Sequence, residues 1–389
     1  MITLKVDVLT PIPTPYRDPF WEALADGVGI ELRVLFCAVG KADRPWRSCE
    51  RESGLFEVLS GFDLLGGGDG SSAFLNPRVL HYLGERRPDA LLLGGYNHPT
   101  MLLALCWALV TRTPVFLMCE THQGSGRGGW RSRVRSILLR LLLPHIAGAL
   151  PTGRLAQAFL RCHGMAPERM ELLPNAPDQA ALVTAAELGM KRRGSILADI
   201  GFPADSRVVL FVGRFIVKKR VLDLVDAFCG SDLPDDARLV LVGDGEERAA
   251  IETRIAASGM GSRIRLTGFL EPEAVWRWYG VADLYVLPSA ETWGVSALEA
   301  MGCGLPLVLS DAVGSHPDLK LLDDGVRVVP FGDVASLGDA ITATLDDIPA
   351  GLPRVGSGDP FRAAFGHSEL AARTAQFLAY RLSVGPASR

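Results

Sequence analysis

Several absences bound this chain before any motif is read. No two of its seven cysteines (Cys37, Cys49, Cys106, Cys119, Cys162, Cys229 and Cys303) form a CxxC pair, and their number is odd. That speaks against a zinc framework and a disulfide-stapled fold, and fits thiols used as small apolar groups in a reducing compartment. No apolar run reaches the ~18 residues of a membrane-spanning helix. The nearest, Met101 to Val110, is too short. The chain enters a strand-like run, Ile2 to Leu9, with no charged leader and apolar segment before it, so the expected location is cytoplasmic. An excess of one charge is missing too: 40 Lys and Arg stand against 44 Asp and Glu, a formal net charge of −4. A basic nucleic-acid-binding coat is thereby excluded. The glycine cluster Gly66-Gly67-Gly68-Asp69-Gly70 lacks the Gly-Lys-Ser/Thr ending of a phosphate loop and reads as a flexible turn.

What the chain does have is apolar material: 48% of 389 residues. That supports two or three domains with sizeable cores. Ile2–Leu9, Ile30–Cys37, Asp89–Gly95, Pro114–Cys119, Ile146–Leu150 and Met170–Leu173 read as strands, alternating with helical segments. Short apolar runs bounded by Gly, Pro and polar residues are typical of buried parallel strands. Pro174-Asn175-Ala176-Pro177-Asp178 then breaks regular structure, and 179–204 reads as a polar, Ala-rich connection. A second series follows: Val208–Val212, Leu239–Val242, Ile264–Thr267, Tyr285–Leu287, Leu307–Leu309 and Arg327–Pro330, with a final helix over Ser368 to Leu382. The expected divisions are 1–178, a linker over 179–204, 205–365, and 366–389.

Open parallel sheets bind ligands beyond the carboxyl ends of their strands, so the strand-to-helix loops hold the candidate residues. In the first domain these are Tyr16 and Arg17 after three loop prolines, His98 after the third strand, and Glu120 and His122 after the fourth. In the second, Gly213-Arg214-Phe215-Ile216-Val217-Lys218-Lys219-Arg220 puts cations at the sheet edge, with Lys218 as a register alternative to Lys219. Two cations there suit a diphosphate leaving group. The segment from Gly126 to Leu143 holds Arg127, Arg131, Arg133, Arg135 and Arg140 with no acid among them. It is either a domain helix with its leucines in the core or a basic amphipathic helix for an anionic membrane surface.

The most informative stretch is Tyr285 to Leu319, YVLPSAETWGVSALEAMGCGLPLVLSDAVGSHPDL. It reads as strand, loop, helix from about Val295 to Met301, and strand. Gly294 lets backbone approach closely, and the helix start offers unpaired N–H groups to a phosphate. Glu291 and Glu299 have seven residues between them, about two helical turns, so each can accept hydrogen bonds from a different part of one long ligand.

Glu291-x7-Glu299, opened by ETWG and closed by EAMGCGLP, resembles the signature of retaining glycosyltransferases of family 4, and SDAVGSHPDL resembles a bacterial branch found in surface-polysaccharide pathways. The likeness is strong over 205–345 and weak over 1–178. It implies an α/β fold of the GT-B kind: two Rossmann-like domains with parallel sheets facing a central cleft, and a C-terminal helix crossing back to the first domain. The first domain would bind acceptor and the second a nucleotide sugar. By the same resemblance Arg214 and Lys219 bind the diphosphate, Glu299 holds the ribose, and Glu291 orients the sugar with backbone near Thr292, Trp293, Gly294 and Val295. Gly213 and Gly243 line the nucleotide pocket, Phe269 and Leu270 lie by the base, and His122 lies near the donor sugar. The segment PNAPD is similar to the family's first-domain ending, with Ala176 where Gly is usual, and Arg220 replaces the Gly expected after the Lys. No DxD motif is evident, so neither an essential metal nor a cofactor is expected.

The implied activity is retaining transfer of a sugar to a glycan or lipid-linked glycan. A small natural-product acceptor such as an aminoglycoside is the alternative. From other classes, a nucleotide-sugar epimerase or a non-catalytic nucleotide-sugar-binding protein is the competitor. The basic segment Arg127–Leu143 would give peripheral membrane contact. Roles for Tyr16, Arg17, His98, Glu120 and His316 stay open.

Overall fold

A computed structural model describes residues 3–27, 29–40, 54–66, 72–122, 130–348 and 358–384. The glycine cluster from Gly67 on, Arg127, and residues 349–357 lie outside the described residues. The chain forms two compact units, one of Met1–Asn175 with Phe365–Arg389 and one of Ala176–Ala364.

The first unit is built on β1 (Leu4–Thr10), β2 (Ile30–Phe36), β3 (Phe56–Val58), β6 (Ala90–Leu93), β7 (Val115–Cys119) and β8 (Gly148–Pro151), with a small antiparallel pair, β4 (Phe62–Asp63) and β5 (Phe74–Leu75). The six-stranded sheet is parallel in the order β3-β2-β1-β6-β7-β8. Its middle strands are apolar on both faces because helices cover both: Leu91, Leu92 and Phe116 are fully buried. The helix His367–Val384 crosses back to this unit. It packs on the helix Asp18–Ala25, and Arg381 donates to the Ala147 carbonyl.

The second unit repeats the plan with β9 (Arg207–Val212), β10 (Ala237–Val242), β11 (Ile264–Gly268), β12 (Leu284–Leu287), β13 (Leu307–Ser310) and β14 (Arg327–Val329). The sheet order is β11-β10-β9-β12-β13-β14, again parallel. In both sheets the order reverses direction beside the first strand, which is the crevice where such sheets hold ligands.

Three expectations need correction. Met170–Leu173 is not a strand; it makes one isolated bridge, Ala149↔Met170, between a 3-10 turn and Pro174. The supposed connection 179–204 is mostly helix, Gln179–Lys191 and Arg193–Asp199, and belongs to the second unit. Asp178 caps the first of these through two backbone N–H groups, and Leu182, Ala186 and Leu197 are buried. The basic segment forms the helix Trp130–Leu142, but its apolar residues divide. Leu139 and Leu143 enter the core, while Ile137, Leu138 and Leu141 are more than half exposed. The core-helix reading thus holds for Leu139 and Leu143, and the other three residues leave an apolar strip on the surface.

Candidate active site

In the second unit five strand-end loops are stitched together by backbone hydrogen bonds. Gly243 N–H donates to the Gly268 carbonyl, joining the β10 and β11 loops. Phe215 N–H donates to Asp244 and Glu247 N–H to Phe215, joining β9 to β10. Ala290 N–H donates to Lys218, joining β12 to β9 across the order reversal. Glu291 N–H donates to Ala312, Gly314 N–H to Glu291 and Ser315 N–H to Trp293, joining β12 to β13. Two glycines make this closeness possible. A Cβ on Gly243 would lie 1.9 Å from the Gly213 carbonyl oxygen, and one on Gly314 would lie 2.0 Å from that of Thr292. Such interlocked backbone holds attached side chains with little reorganisation, as a site for a charged transition state requires.

The side chains on this floor are the ones the motif singles out. Lys219 forms an ion pair with Glu291, and both are largely shielded. The pair spans the loops after β9 and β12, the two strands at the order reversal. Ser289, fully buried, donates to Glu291 Oε1 at 2.9 Å, and Ser310 fixes Ser289 through its carbonyl at 2.7 Å. Arg214 and Lys218 are exposed on the same loop. The helix Val295–Gly302 starts from Gly294 at φ 96° with no side-chain cap. Thr292 is exposed, while the Trp293 side chain is buried, so this residue offers the site backbone only. Phe269 stands 69% exposed past β11, beside the half-buried Leu270.

Glu299 is held by two residues that sequence reasoning missed. Trp276 Nε1 donates to its Oε1 at 3.1 Å, and the Tyr279 hydroxyl donates to Oε2 at 2.7 Å. Burial pushes the Glu299 carboxyl above its ordinary value, and the Tyr279 and Trp276 hydrogen bonds oppose the shift. Burial also pushes up the phenol of Tyr279. The i, i+3 spacing of Trp276 and Tyr279 on one helix was a readable signal, although nothing in it names their target.

The first unit has its own cluster at the carboxyl edge. Arg17 donates to Asn175 Oδ1 at 2.5 Å and to Glu120 Oε1 at 2.7 Å, and Asn175 Nδ2 donates to the same Glu120 oxygen at 3.0 Å. The loops after β1 and β7 are thus tied to the last residue of the unit's long segment. His122 is buried just beyond β7. His98 is turned into the core: Phe74 N–H donates to its Nδ1 at 3.2 Å, and its ring stacks on Phe74. His316 starts the short helix His316–Lys320, with Nδ1 2.8 Å from the Val313 carbonyl. Among the described residues no cluster of three metal-ligating side chains occurs, and no helix is long and apolar enough to cross a membrane.

The family described as glycosyl transferase 4-like domain matches residues 4–176, and that described as glycosyl transferases group 1 matches 206–347. A phosphatidyl-myo-inositol mannosyltransferase of Mycobacterium leprae is 28% identical over 70% of this chain and 68% of its own length. A 2-deoxystreptamine N-acetyl-D-glucosaminyltransferase of Streptomyces fradiae is 37% identical over 49% of this chain, but only 45% of that protein is spanned. Among solved structures, the Anabaena HepE protein in complex with UDP aligns over 97% of this chain and all of its own, with TM-score 0.72 at 18% identity. That likeness concerns fold. With the two matched domains in order and the doubled parallel-sheet plan, the chain belongs to the glycosyltransferases of the GT-B fold.

Proposed function

We propose that the protein moves a sugar from a nucleotide diphosphate sugar to a carbohydrate acceptor, with retention at the transferred carbon. The observation that carries the reading is the Lys219–Glu291 pair at the order reversal of the second sheet, beside the uncapped helix start at Gly294. A diphosphate placed there meets Arg214, Lys219 and the first N–H groups of the helix. Glu291 and the backbone near Thr292–Val295 orient the sugar, Glu299 accepts from the ribose, and Phe269 and Leu270 flank the base, against the Gly213 and Gly243 turns. The acceptor oxygen attacks the face that the diphosphate leaves. The glycosidic bond to phosphate breaks as the new one forms, and the departing phosphate takes the acceptor proton. His122 is proposed as a contact of the donor sugar on the family resemblance alone. No metal or cofactor enters this scheme.

The relatives named above support transfer as the reaction, since each was named for moving a sugar; the UDP complex supports a nucleotide ligand in this fold. A thermal-shift panel of nucleoside diphosphates and their sugars tests the donor half. At least one diphosphate is expected to raise Tm by several degrees at saturating concentration. A flat panel sinks the reading. Incubation with the responding nucleotide sugar alone separates transfer from epimerisation, because an epimer forms without acceptor only in the second case.

For the acceptor, a glycan or lipid-linked glycan is favoured by Ile137, Leu138 and Leu141, which expose apolar surface next to exposed Arg140. Such a face suits peripheral contact with the inner leaflet, which would place the enzyme in the cytoplasm at the membrane. The protein is expected to float with phosphatidylglycerol vesicles, and the Ile137→Asp, Leu141→Asp double variant to lose most of that binding. Equal flotation of both would remove the membrane from the proposal. The 37% identity, over about half of this chain, to a 2-deoxystreptamine N-acetyl-D-glucosaminyltransferase favours a second reading, a small aminocyclitol-type acceptor. Product formation with 2-deoxystreptamine or its glycosides would decide for it.

A further inference from the structure

We propose that Trp276 and Tyr279 are positioning residues that pin both oxygens of Glu299 and so leave its remaining lone pairs to the vicinal hydroxyls of a donor ribose; this rests on the nucleotide-sugar reading above. A carboxylate offers two oxygens and about four acceptor sites. Here one donor sits on each oxygen, at 3.1 and 2.7 Å. A carboxylate held at both ends keeps one orientation, and two acceptor directions stay available.

The two donors are themselves immobilised. Both lie on the helix Pro272–Val281, one turn apart, so they reach the same neighbour. That helix is seated on the helix Gln179–Lys191 by backbone-close contacts at two glycines. A Cβ on Gly280 would lie 1.8 Å from the Ala186 carbonyl oxygen, and a Cβ on Gly189 would lie 2.0 Å from that of Arg277. Sliding the helices apart by even a methyl group would lift both donors from Glu299. Tyr279 is almost wholly buried, and its ring lies against Tyr285 with centroids 5.9 Å apart. Trp276 is half-buried. Trp276 is therefore the member whose replacement disturbs packing least.

The hydrogen bonds also explain how a half-buried carboxylate stays useful as an acceptor. Without a donor, burial favours its protonated form, which accepts less well and donates instead. Removing either partner should therefore cost affinity for the ribose hydroxyls specifically, not for the diphosphate held by Arg214 and Lys219 at the other end of the ligand. That separation makes the role measurable.

Titration calorimetry of UDP, GDP, ADP and CDP, each against its 2′-deoxy counterpart, reads it directly. The wild-type protein is expected to prefer the ribo form of its cognate diphosphate by about tenfold, the scale of one hydrogen bond to a charged group. Trp276→Phe and Tyr279→Phe should each reduce that preference to less than about threefold, by weakening the ribo form while the deoxy form binds as before. In turnover, KM for the donor rises and kcat stays within about threefold. If Tyr279→Phe does not fold, Trp276→Phe carries the same readout. A wild-type preference retained in the variants overturns the positioning role, as does an equal loss for ribo and deoxy forms. A wild-type protein that binds diphosphate without any ribo preference overturns it too, and leaves nucleotide binding standing. Absence of binding to every one of the four diphosphates overturns both.

Discussion

Lys219→Ala is expected to lower kcat/KM for sugar transfer by about 10²–10³, the usual cost of removing one preorganised charge donor. Two effects add in the same direction. The ammonium no longer meets the charge that develops on the departing phosphate. Glu291 keeps its hydrogen bond from Ser289 but loses the ion pair that links its carboxylate to the β9 loop. Lys219→Arg should recover little, because a planar guanidinium does not occupy the place of a compact ammonium. Arg214→Ala is expected to act on the leaving group as well but to leave Glu291 in place. The two variants therefore separate in donor KM, with the Lys219 change larger in kcat. Turnover within threefold of wild type in Lys219→Ala, measured with the cognate donor, would remove Lys219 from the machinery.

The largest stability effect is expected far from that edge, at Asp7. Its carboxylate is fully buried in β1 and receives two bonds from Arg33, at 2.5 and 3.2 Å, and one from Arg86 at 2.6 Å. Arg33 and Arg86 also donate to the carbonyls of Tyr82 and Glu31, so both guanidiniums are held whether or not the acid is present. Asp7→Ala leaves them poorly compensated in a partly desolvated place. Removing one partner of such a set costs about 3–5 kcal/mol, which for a unit of this size lowers Tm by about 10 °C. Differential scanning calorimetry should show the loss in the transition of the first unit alone. A shift under about 2 °C would mean that water already screens the cluster.

Much of the second unit was readable from residue order. The apolar runs around Val209, Leu241, Tyr285 and Val308 are parallel strands because little else buries so many branched side chains without a polar face. Gly294 marks a close backbone approach in the sequence, whereas the tighter approaches at Gly243 and Gly314 emerge only from the packed loops. The first unit was less readable at its edges. The β4–β5 pair has strands of two residues each, too short for any periodicity. Met170–Leu173 has strand-like composition, but Pro174 cuts it short. The helix Gln179–Lys191 reads as a connection in the sequence because its surface is polar; its buried face is narrow and meets the helix Pro272–Val281 at closely approaching glycines. His98 reads as an edge residue because a loop places it there, and only the packing of Phe74 shows that the ring points inward. The Arg17–Glu120–Asn175 cluster joins residues up to 158 positions apart, and no local pattern announces contacts of that range.

The chain's return to its starting unit has a consequence for synthesis. The second unit, Ala176–Ala364, is continuous in sequence, whereas the first is not complete until the helix His367–Val384 has been made. Domains commonly fold as they leave the ribosome. Here the later-made unit can reach its native state first, and the earlier one waits, with the surface of Asp18–Ala25 uncovered, for the helix His367–Val384. A released chain truncated after residue 365 should therefore resist protease over 176–348 and remain cleavable near the amino terminus.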